Sequence, residues 1–310
     1  MREIKSLIEL MSTLHDKNSC REFLEQYRWQ GVPVCPHCKH KSEHHYKLKN
    51  KGEFDGLYKC RHCKKRFTVT VGTMFEGSKI PLEKWFYAIY IFLSHKKGIS
   101  SLQLSRDINV TQKTAWFMLH KIRSQMYLAN ENPLTDDVEI DETLVGGRNK
   151  NRHWNKKVAH SQGRSHKDKT PVVGMIQRDF LINALVTGDT TAKTLSAFIK
   201  KHVQPDSNIY TDENASYNEI GKEYPRQVVD HSKNLYSYDN ITTNRIEACW
   251  THFKRMILGA YRNVHTKKYL QKYVDEFIFR YNLRDINASD MFNCFLCCSD
   301  GRITHKEIKE

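Results

Sequence analysis

Two pairs of cysteines, Cys35-Pro36-His37-Cys38 and Cys60-Arg61-His62-Cys63, have the types and spacing of a metal site. Twenty-one residues lie between the pairs. Each Cys-x-x-Cys turn presents two thiolates, and two such turns complete a tetrahedron around one Zn2+ ion. Four thiolates leave no open position on the metal, so the expected role is structural. A module this small has little core of its own, and ligation supplies much of its folding energy. His37, His40, His44, His45 and His62 lie close by in sequence and could enter a ligand set, but read better as solvated or phosphate-facing side chains. Cys20, just before the module, reads as a small buried residue.

A second set of residues suggests different chemistry. Asp141 lies in VEIDETLVGG, Asp212 in SNIYTDENASY and Glu247 in TTNRIEACWTHFKR. Hard divalent cations such as Mg2+ or Mn2+ prefer carboxylate oxygens. Two such ions can activate an attacking oxygen and stabilise a departing one on a phosphodiester. Asp141 follows the apolar Val138 and Ile140 on a predicted strand, and Asp212 ends another, Ile209-Tyr210-Thr211. Glu247 borders a helical stripe of Ile246, Trp250, Phe253, Ile257 and Ala260, so its helix can pack on a sheet and still aim a carboxylate at the edge. Glu139 and Glu142 flank Asp141, and Glu213 follows Asp212; the pattern leaves each of these open as a ligand. Lys254 and Arg255 fall about two helical turns after Glu247, where they can hold a phosphate or simply form a basic face.

The balance of 50 basic and 35 acidic residues gives a net charge of +15, which favours a polyanionic partner, DNA or RNA first. The excess is clustered: Cys35 to Phe67 holds ten Lys or Arg against three acids. Lys64, Lys65 and Arg66, directly after the second cysteine pair, are the foremost phosphate-binding candidates there. A hydrophobic content of 39% excludes a disordered chain. The longest apolar patch, WFYAIYIFL from Trp85 to Leu93, is too short to span a membrane and reads as a core helix. MREIKSLIELM lacks an apolar signal core, which suggests a cytoplasmic location and argues against disulfides among the nine cysteines.

Four segments must position these groups. Residues 1–79 read as an N-terminal helical stretch, closed by Gly31-Val32-Pro33, followed by a small β-rich metal module ending in a strand RFTVTV. Residues 80–130 read as helices, with Pro81 suiting a first helical position. Within them SSLQLSRDI and TQKTAWFMLHKIRSQM, separated by Asn109-Val110, predict a helix-turn-helix. Gln112 and Lys113 head its second helix. Residues 131–285 read as α/β: strands VEIDETLV, TPVVGMIQRD, FLINALVTG and SNIYTD, a helix TAKTLSAFIKKHV capped by Thr190 or Thr191, and two long helices TTNRIEACWTHFKRMILGAY and KKYLQKYVDEFIFRYNLR. The polar stretch between the first two strands, GGRNKNRHWNKKVAHSQGRSHKDKT, reads as a loop or hairpin arm basic enough to touch phosphates. Residues 286–310 form a tail without a clear pattern.

Taken together, RWQGVPVCPHC, YKCRHCKKRFTVTVGTMFEGSKIPLEKWFYAIY and GISSLQLSRDINVTQKTAWFMLHKIR resemble the N-terminal half of prokaryotic insertion-sequence transposases that carry a zinc ribbon before a DDE catalytic domain. EIDETLVGG, VVGMIQR, YTDENASY, NRIEACWTHFKRMILGAYRNV and EFIFRYNLR resemble the second half, in family order. The resemblance implies an RNase H-like core, a mixed sheet with flanking helices, preceded by a zinc ribbon and a helix-turn-helix region. It implies the triad Asp141, Asp212 and Glu247, binding two Mg2+ or Mn2+ ions, with one structural Zn2+ on Cys35, Cys38, Cys60 and Cys63. Some members carry Asn as the third ligand, which brings Asn244, one turn before Glu247, into the comparison. His231 in VVDHSKN suits a place near the site or a structural role. The implied reaction is hydrolysis at each transposon end followed by attack of the freed 3′-OH on target DNA. Double-stranded DNA is the implied partner, and a homodimer or higher assembly follows from the need to treat two ends together. Two rival readings are a catalytically silent zinc-ribbon DNA-binding regulator and an RNase H-like nuclease.

Overall fold

A computed structural model describes residues 4–127, 131–147, 149–161, 167–178, 181–229, 242–262, 264 and 267–309. His231 and part of the basic arm, residues 148 and 162–166, lie outside the described residues.

In chain order, α1 (Leu7–Thr13) starts where the Ser6 hydroxyl accepts the Glu9 N–H, and α2 (Lys17–Trp29) starts in a reciprocal capping box of Asp16 and Ser19. Gln30, in the left-handed region at φ 50°, ends α2 before Gly31. Strands β1 (Tyr46–Asn50) and β2 (Glu53–Lys59) form a hairpin. Its two-residue turn, Lys51 and Gly52, has φ of 49° and 90°, the sign that matches strand twist. Strand β3 is only Arg66–Phe67. The expected strand RFTVTV stops there because the threonines turn the chain: Val71 N–H donates to Thr68 O, Thr73 N–H to Thr70 O, and the Thr68 and Thr70 hydroxyls meet at 2.9 Å.

Helix α3 (Leu82–Ser94) is preceded by Pro81 as its cap residue, and eight of its side chains are buried. Then come α4 (Ser101–Asp107) and α5 (Gln112–Arg123), each begun by a hydroxyl cap, Ser100 and Thr111. Asn109, at φ 50°, makes the tight turn between these two helices. Strands β4 (Asp137–Val145), β5 (Thr170–Gln177) and β6 (Ile182–Val186) form a meander. Helix α6 (Ala192–His202), capped at Thr191, leads to β7 (Asn208–Asp212) and then β8 (Arg226–Val229). Helix α7 (Asn244–Met256) passes into a π-helical turn, Ile257–Tyr261, followed by α8 (Lys267–Asn282), α9 (Ala288–Cys297) and α10 (His305–Lys309).

The chain divides into two units, one of residues 1–95, 100–125 and 286–310, the other of 96–99 and 126–285. In the first, aromatic rings carry the packing. Trp29 meets Tyr58 and Phe67 edge-on, and Phe86 meets Phe23, Phe75 and Phe292. Phe292 belongs to α9, so the apparently patternless tail supplies core to this unit.

The second unit is a five-stranded sheet of order β6-β5-β4-β7-β8, antiparallel across β4–β5–β6 and parallel across β4–β7–β8. This mixed α/β sheet is RNase H-like. One face packs on α7 and α8 through Val172, Ile176, Trp250, Phe253 and Phe277. The other packs on α6 through Val138, Ile140, Met175, Phe198 and Ile199. Strand β5 feeds both cores, which explains its nearly unbroken apolar sequence.

Candidate active site and metal centre

The four cysteines come together as the spacing predicts. Their sulfurs lie within 4.8 Å of one another, with Cys35 to Cys63 at 3.7 Å and Cys38 to Cys60 at 3.6 Å. A tetrahedron with metal–sulfur bonds of ~2.3 Å has edges of ~3.8 Å, so the cluster fits one thiolate-bound ion. The two turns repeat one geometry. Lys39 N–H donates to Cys35 O and Lys64 N–H to Cys60 O, and both lysines are left-handed, at φ 58° and 61°. Nearby histidines serve the frame instead of the metal: His45 Nδ1 accepts the Arg61 N–H, and His40 stacks on His62. Cys20 is fully buried, as expected.

The second cluster stands midway along β4 and at the carboxyl end of β7. These strands pair only as far as Glu139 and Tyr210, while β4 runs on to Val145 and β7 to Asp212. Order in the sheet reverses between them, because β5 lies on one side of β4 and β7 on the other. Such a switch point leaves a crevice beyond the strand ends. Asp141, Glu142 and Asp212 gather where the β4–β7 pairing ends, with carboxylate oxygens within 4.8 Å of one another. Asp141 and Glu142 are neighbours and leave opposite faces of β4, and both reach Asp212 where the β4 edge facing β7 is unpaired beyond Glu139. Asn214 N–H donates to Asp212 Oδ1 at 3.1 Å, and Arg226 donates to Asp212 O at 3.0 Å and Thr211 Oγ1 at 2.9 Å. These contacts hold the turn that carries Asp212.

Burial pushes Asp141 up to about 6; a backbone hydrogen bond at Glu142 opposes this, and the charges of Asp212 and Glu247 add to it. Burial likewise raises Glu142 to about 7, opposed by the Tyr217 hydroxyl and reinforced by Asp141 and Asp212. Tyr217 is fully buried and faces Glu142 without closing a hydrogen bond of good geometry. The buried Trp250 indole N–H lies beside Asp141 in the same way. Clustered carboxylates that resist ionising together are what a divalent cation relieves, and the all-oxygen donor set fits a hard ion.

Glu247 occupies the first turn of α7, exposed, and near enough to Asp141 to raise it. A buried strut fixes that helix end. Glu139 is fully buried on β4, and its Oε2 accepts the Arg245 N–H at 3.0 Å and the Ile246 N–H at 3.2 Å. A carboxylate at a helix N-terminus satisfies orphan donors and meets the positive end of the dipole. Arg178 binds the other Glu139 oxygen at 3.2 Å, reaches Asp137 at 3.3 Å and stacks on Tyr210, 4.0 Å from the ring centre. One turn further along α7, Trp250 lies over Gly174, the ladder partner of Asp141; a Cβ on that glycine would meet the ring at 2.5 Å. Thus β4, β5 and α7 are locked around the carboxylates. The alternatives Glu139 and Glu142 divide: Glu142 joins the cluster, whereas Glu139 is consumed by the strut. Arg178, Tyr217 and Arg226 carry no sequence signal that marks them, since each gains its partner only through the fold.

Among the basic candidates, Lys64, Lys65 and Arg66 are exposed beside the second cysteine turn, with Lys64 Nζ on Arg61 O at 2.7 Å. Gln112 and Lys113 are exposed in the first turn of α5, Gln112 donating to Ser101 Oγ at 3.0 Å. Lys254 and Arg255 are exposed on α7, two turns beyond Glu247. Asn244, also exposed, opens the helix with its backbone N–H on Thr242 Oγ1.

A thiol-clustered ribbon and an RNase H-like sheet with a carboxylate cluster are the parts that the resemblance to DDE transposases implies. Comparison with known proteins agrees. Residues 15–66 match the transposase zinc-ribbon domain and residues 133–282 the ISXO2-like transposase domain. The chain belongs with the zinc-ribbon-bearing DDE transposases of prokaryotic insertion sequences. It is 25% identical over 281 residues to an uncharacterized protein in the transposable element ISH50 of Halobacterium salinarum, covering 87% of this chain and 92% of that protein. Among solved structures it superposes loosely on the Mos1 strand transfer complex, at 14% identity over 71% of this chain and 79% of that one, TM-score 0.29. A pre-cleavage Mos1 transpososome gives 11% identity over 70% and 79%, TM-score 0.26. No described helix is long and apolar enough to cross a membrane.

Proposed function

We propose that this chain binds the terminal inverted repeats of its insertion sequence, hydrolyses a phosphodiester at each end and joins the freed 3′-OH to target DNA. The observation that carries the reading is the convergence of Asp141, Glu142 and Asp212 within 4.8 Å where the β4–β7 pairing ends. Divalent ions bound there, Mg2+ or Mn2+, would supply activation of the attacking oxygen and neutralisation of the departing one. Asp141 and Asp212 offer hard oxygens from rigid strands, and Glu247 offers a third from α7. Lys254, seven residues after Glu247 and hence on the same helix face, reaches for a phosphate of the bound strand. Exclusion of water from the half-buried crevice strengthens each of these charges.

The cysteine cluster holds one structural Zn2+. It presents Lys64, Lys65 and Arg66 to DNA phosphates, while Gln112 and Lys113 head the helix-turn-helix element that reads the ends. Two ends must be treated together, so the working form is a homodimer or larger assembly on DNA, in the cytoplasm with the nucleoid.

The test is a cleavage and strand-transfer assay in Mn2+ on DNA carrying the inverted repeats that flank this gene. Joined products should form with the wild type and disappear with Asp141→Ala, Asp212→Ala and Glu247→Ala. Loss with Asn244→Ala but not Glu247→Ala would reassign the third ligand. Specific binding with no metal-dependent cleavage would leave a regulator in place of a transposase.

A further inference from the structure

The most exposed large apolar side chain among those described is Trp154, at 86%. A tryptophan normally gains 150–250 Å2 of burial, so one held in solvent needs a reason. It does not hang from a slack loop. The arm between β4 and β5 is framed by Asn149, whose Nδ2 donates to Val158 O at 2.7 Å and whose Oδ1 accepts the Val158 N–H at 3.0 Å. Within that frame two 3-10 turns, Asn149–Asn151 and Trp154–Lys156, set the backbone. Arg152 ties the arm to its return path through Asp168 O at 2.9 Å. The frame is polar throughout, and it presents the indole outward.

The surroundings of Trp154 decide what would cover it. Lys150, His153, Asn155, Lys156 and Lys157 are all exposed around it. Residues 147–169 hold eight Lys or Arg against one acid, Asp168. An aromatic anchor for a protein partner sits in an apolar centre with a polar rim; here the rim is cationic and no apolar centre exists among the described arm residues. An isolated aromatic face in a basic setting is how proteins hold an unpaired base: the ring stacks and the cations take the flanking phosphates. The arm also leaves β4 at its carboxyl end, the end of the sheet where Asp212 closes β7.

We propose that Trp154 is a stacking platform for an unpaired base at a DNA end, with Lys156 and Lys157 gripping the adjacent phosphates. This rests on the transposase reading, and it names the part of the DNA that the arm takes: the terminal nucleotides that come unpaired at a cut end.

The experiment compares two duplexes, one blunt and one with a short single-stranded overhang, each with 2-aminopurine at its terminus. Zinc-loaded full-length protein is titrated and both anisotropy and 2-aminopurine fluorescence are read. Wild type should quench the overhang probe and bind it about 5- to 100-fold more tightly than Trp154→Ala, the range expected for one stacked base. Trp154→Phe should retain most of the quenching, and blunt-duplex affinity should be equal in all three. Lys156→Ala should weaken both duplexes alike and flatten the salt dependence. Equal quenching and affinity for wild type and Trp154→Ala would overturn the platform while leaving DNA binding intact. A Trp154→Ala effect confined to self-association in sedimentation would also overturn it, assigning the ring to a second copy. Failure of the wild type to bind either duplex would remove the transposase reading and this one with it.

Discussion

The thiol cluster takes all its donors from two turns of one design, CPHCK and CRHCK, each closed by the same backbone hydrogen bond and a left-handed lysine. The carboxylate cluster takes its members from β4 and β7, with Glu247 outside it on α7 but near enough to raise Asp141, and each element is held by side chains from elsewhere. In the first, ligation of a metal is expected to make the structure. In the second, Glu139, Arg178, Trp250 and Arg226 fix the frame around the proposed metal site. A site that only braces a module can depend on its ion, whereas one that does chemistry must stand before its ions arrive.

Metal removal should separate the two most widely. Structural zinc contributes an apparent ~10–16 kcal/mol in small zinc modules, far more than a ribbon of this size holds otherwise. Chelation, or Cys60→Ser, should therefore unfold the ribbon, releasing one Zn2+ per chain to a metallochromic dye. Residues 131–285 should keep their amide-exchange protection. Loss of protection in both regions would show that the sheet depends on the ribbon and break the contrast.

The next effect tests whether the carboxylate frame is self-supporting. Glu139→Ala would take the fully buried carboxylate away from the half-buried Arg178 guanidinium and leave two N–H groups of α7 unmet. Removing one partner of a buried pair costs about 3–5 kcal/mol. Glu139→Gln, which keeps an acceptor, should cost less than Glu139→Ala by urea denaturation. Both should weaken strand transfer beyond what stability explains, because Glu247 rides on the released helix end. Unchanged denaturation midpoints would mean that the strut bears no load.

The contrast also governs what was legible. Ligands two residues apart announce themselves, and the alternation of VEIDETLV and the apolar run TPVVGMIQ give β4 and β5 directly. Strand β8 escaped notice because RQVV is a four-residue edge strand with an exposed Gln227 and Val228, so it lacks an alternating buried face. The stretch MILGAY read as continued α-helix, yet the chain shifts to a π turn, with Tyr261 donating to the buried Glu276 at 2.7 Å. Glu139 and Asp141 look alike in sequence; only the arrival of α7 makes one a strut and leaves the other in the carboxylate cluster. The arrangement of donors is local in the ribbon and topological in the sheet, and pattern reading sees the local kind.

A smaller effect probes the close approach behind Asp141. Gly174→Ala places a methyl at 2.5 Å from the Trp250 ring. Overpacking of this kind costs about 1–3 kcal/mol. Trp250→Phe in the same chain should recover part of the loss, since the smaller ring vacates the position. Thermal denaturation of the two single variants and the double variant measures the coupling; strict additivity would mean that the ring does not rest on the glycine.

The smallest effect asks whether raised carboxylates in this unit reflect the site or burial alone. Asp275 on α8 is 6% exposed and accepts from Gln271 at 2.8 Å, and burial raises it to about 6. Its unfolded value is 3.8, so between about 4 and 6 the folded state binds more protons than the unfolded one. The folded protein thus loses stability as pH rises through that window, and the loss is complete above it. Asp275→Asn, which keeps an acceptor for Gln271, should gain about 1–3 kcal/mol at pH 8 and nothing below pH 4. Because Asp275 belongs to no group of three or more metal-ligating side chains among the described residues, that gain should be the same with or without Mn2+. Asp141→Asn should behave differently: it should stabilise the metal-free protein at pH 8 but forfeit the stabilisation that Mn2+ gives the wild type by binding only the folded state. Equal responses of the two variants to Mn2+ would mean that Asp141 is raised by burial alone, and the carboxylate cluster would lose its claim to be a metal centre.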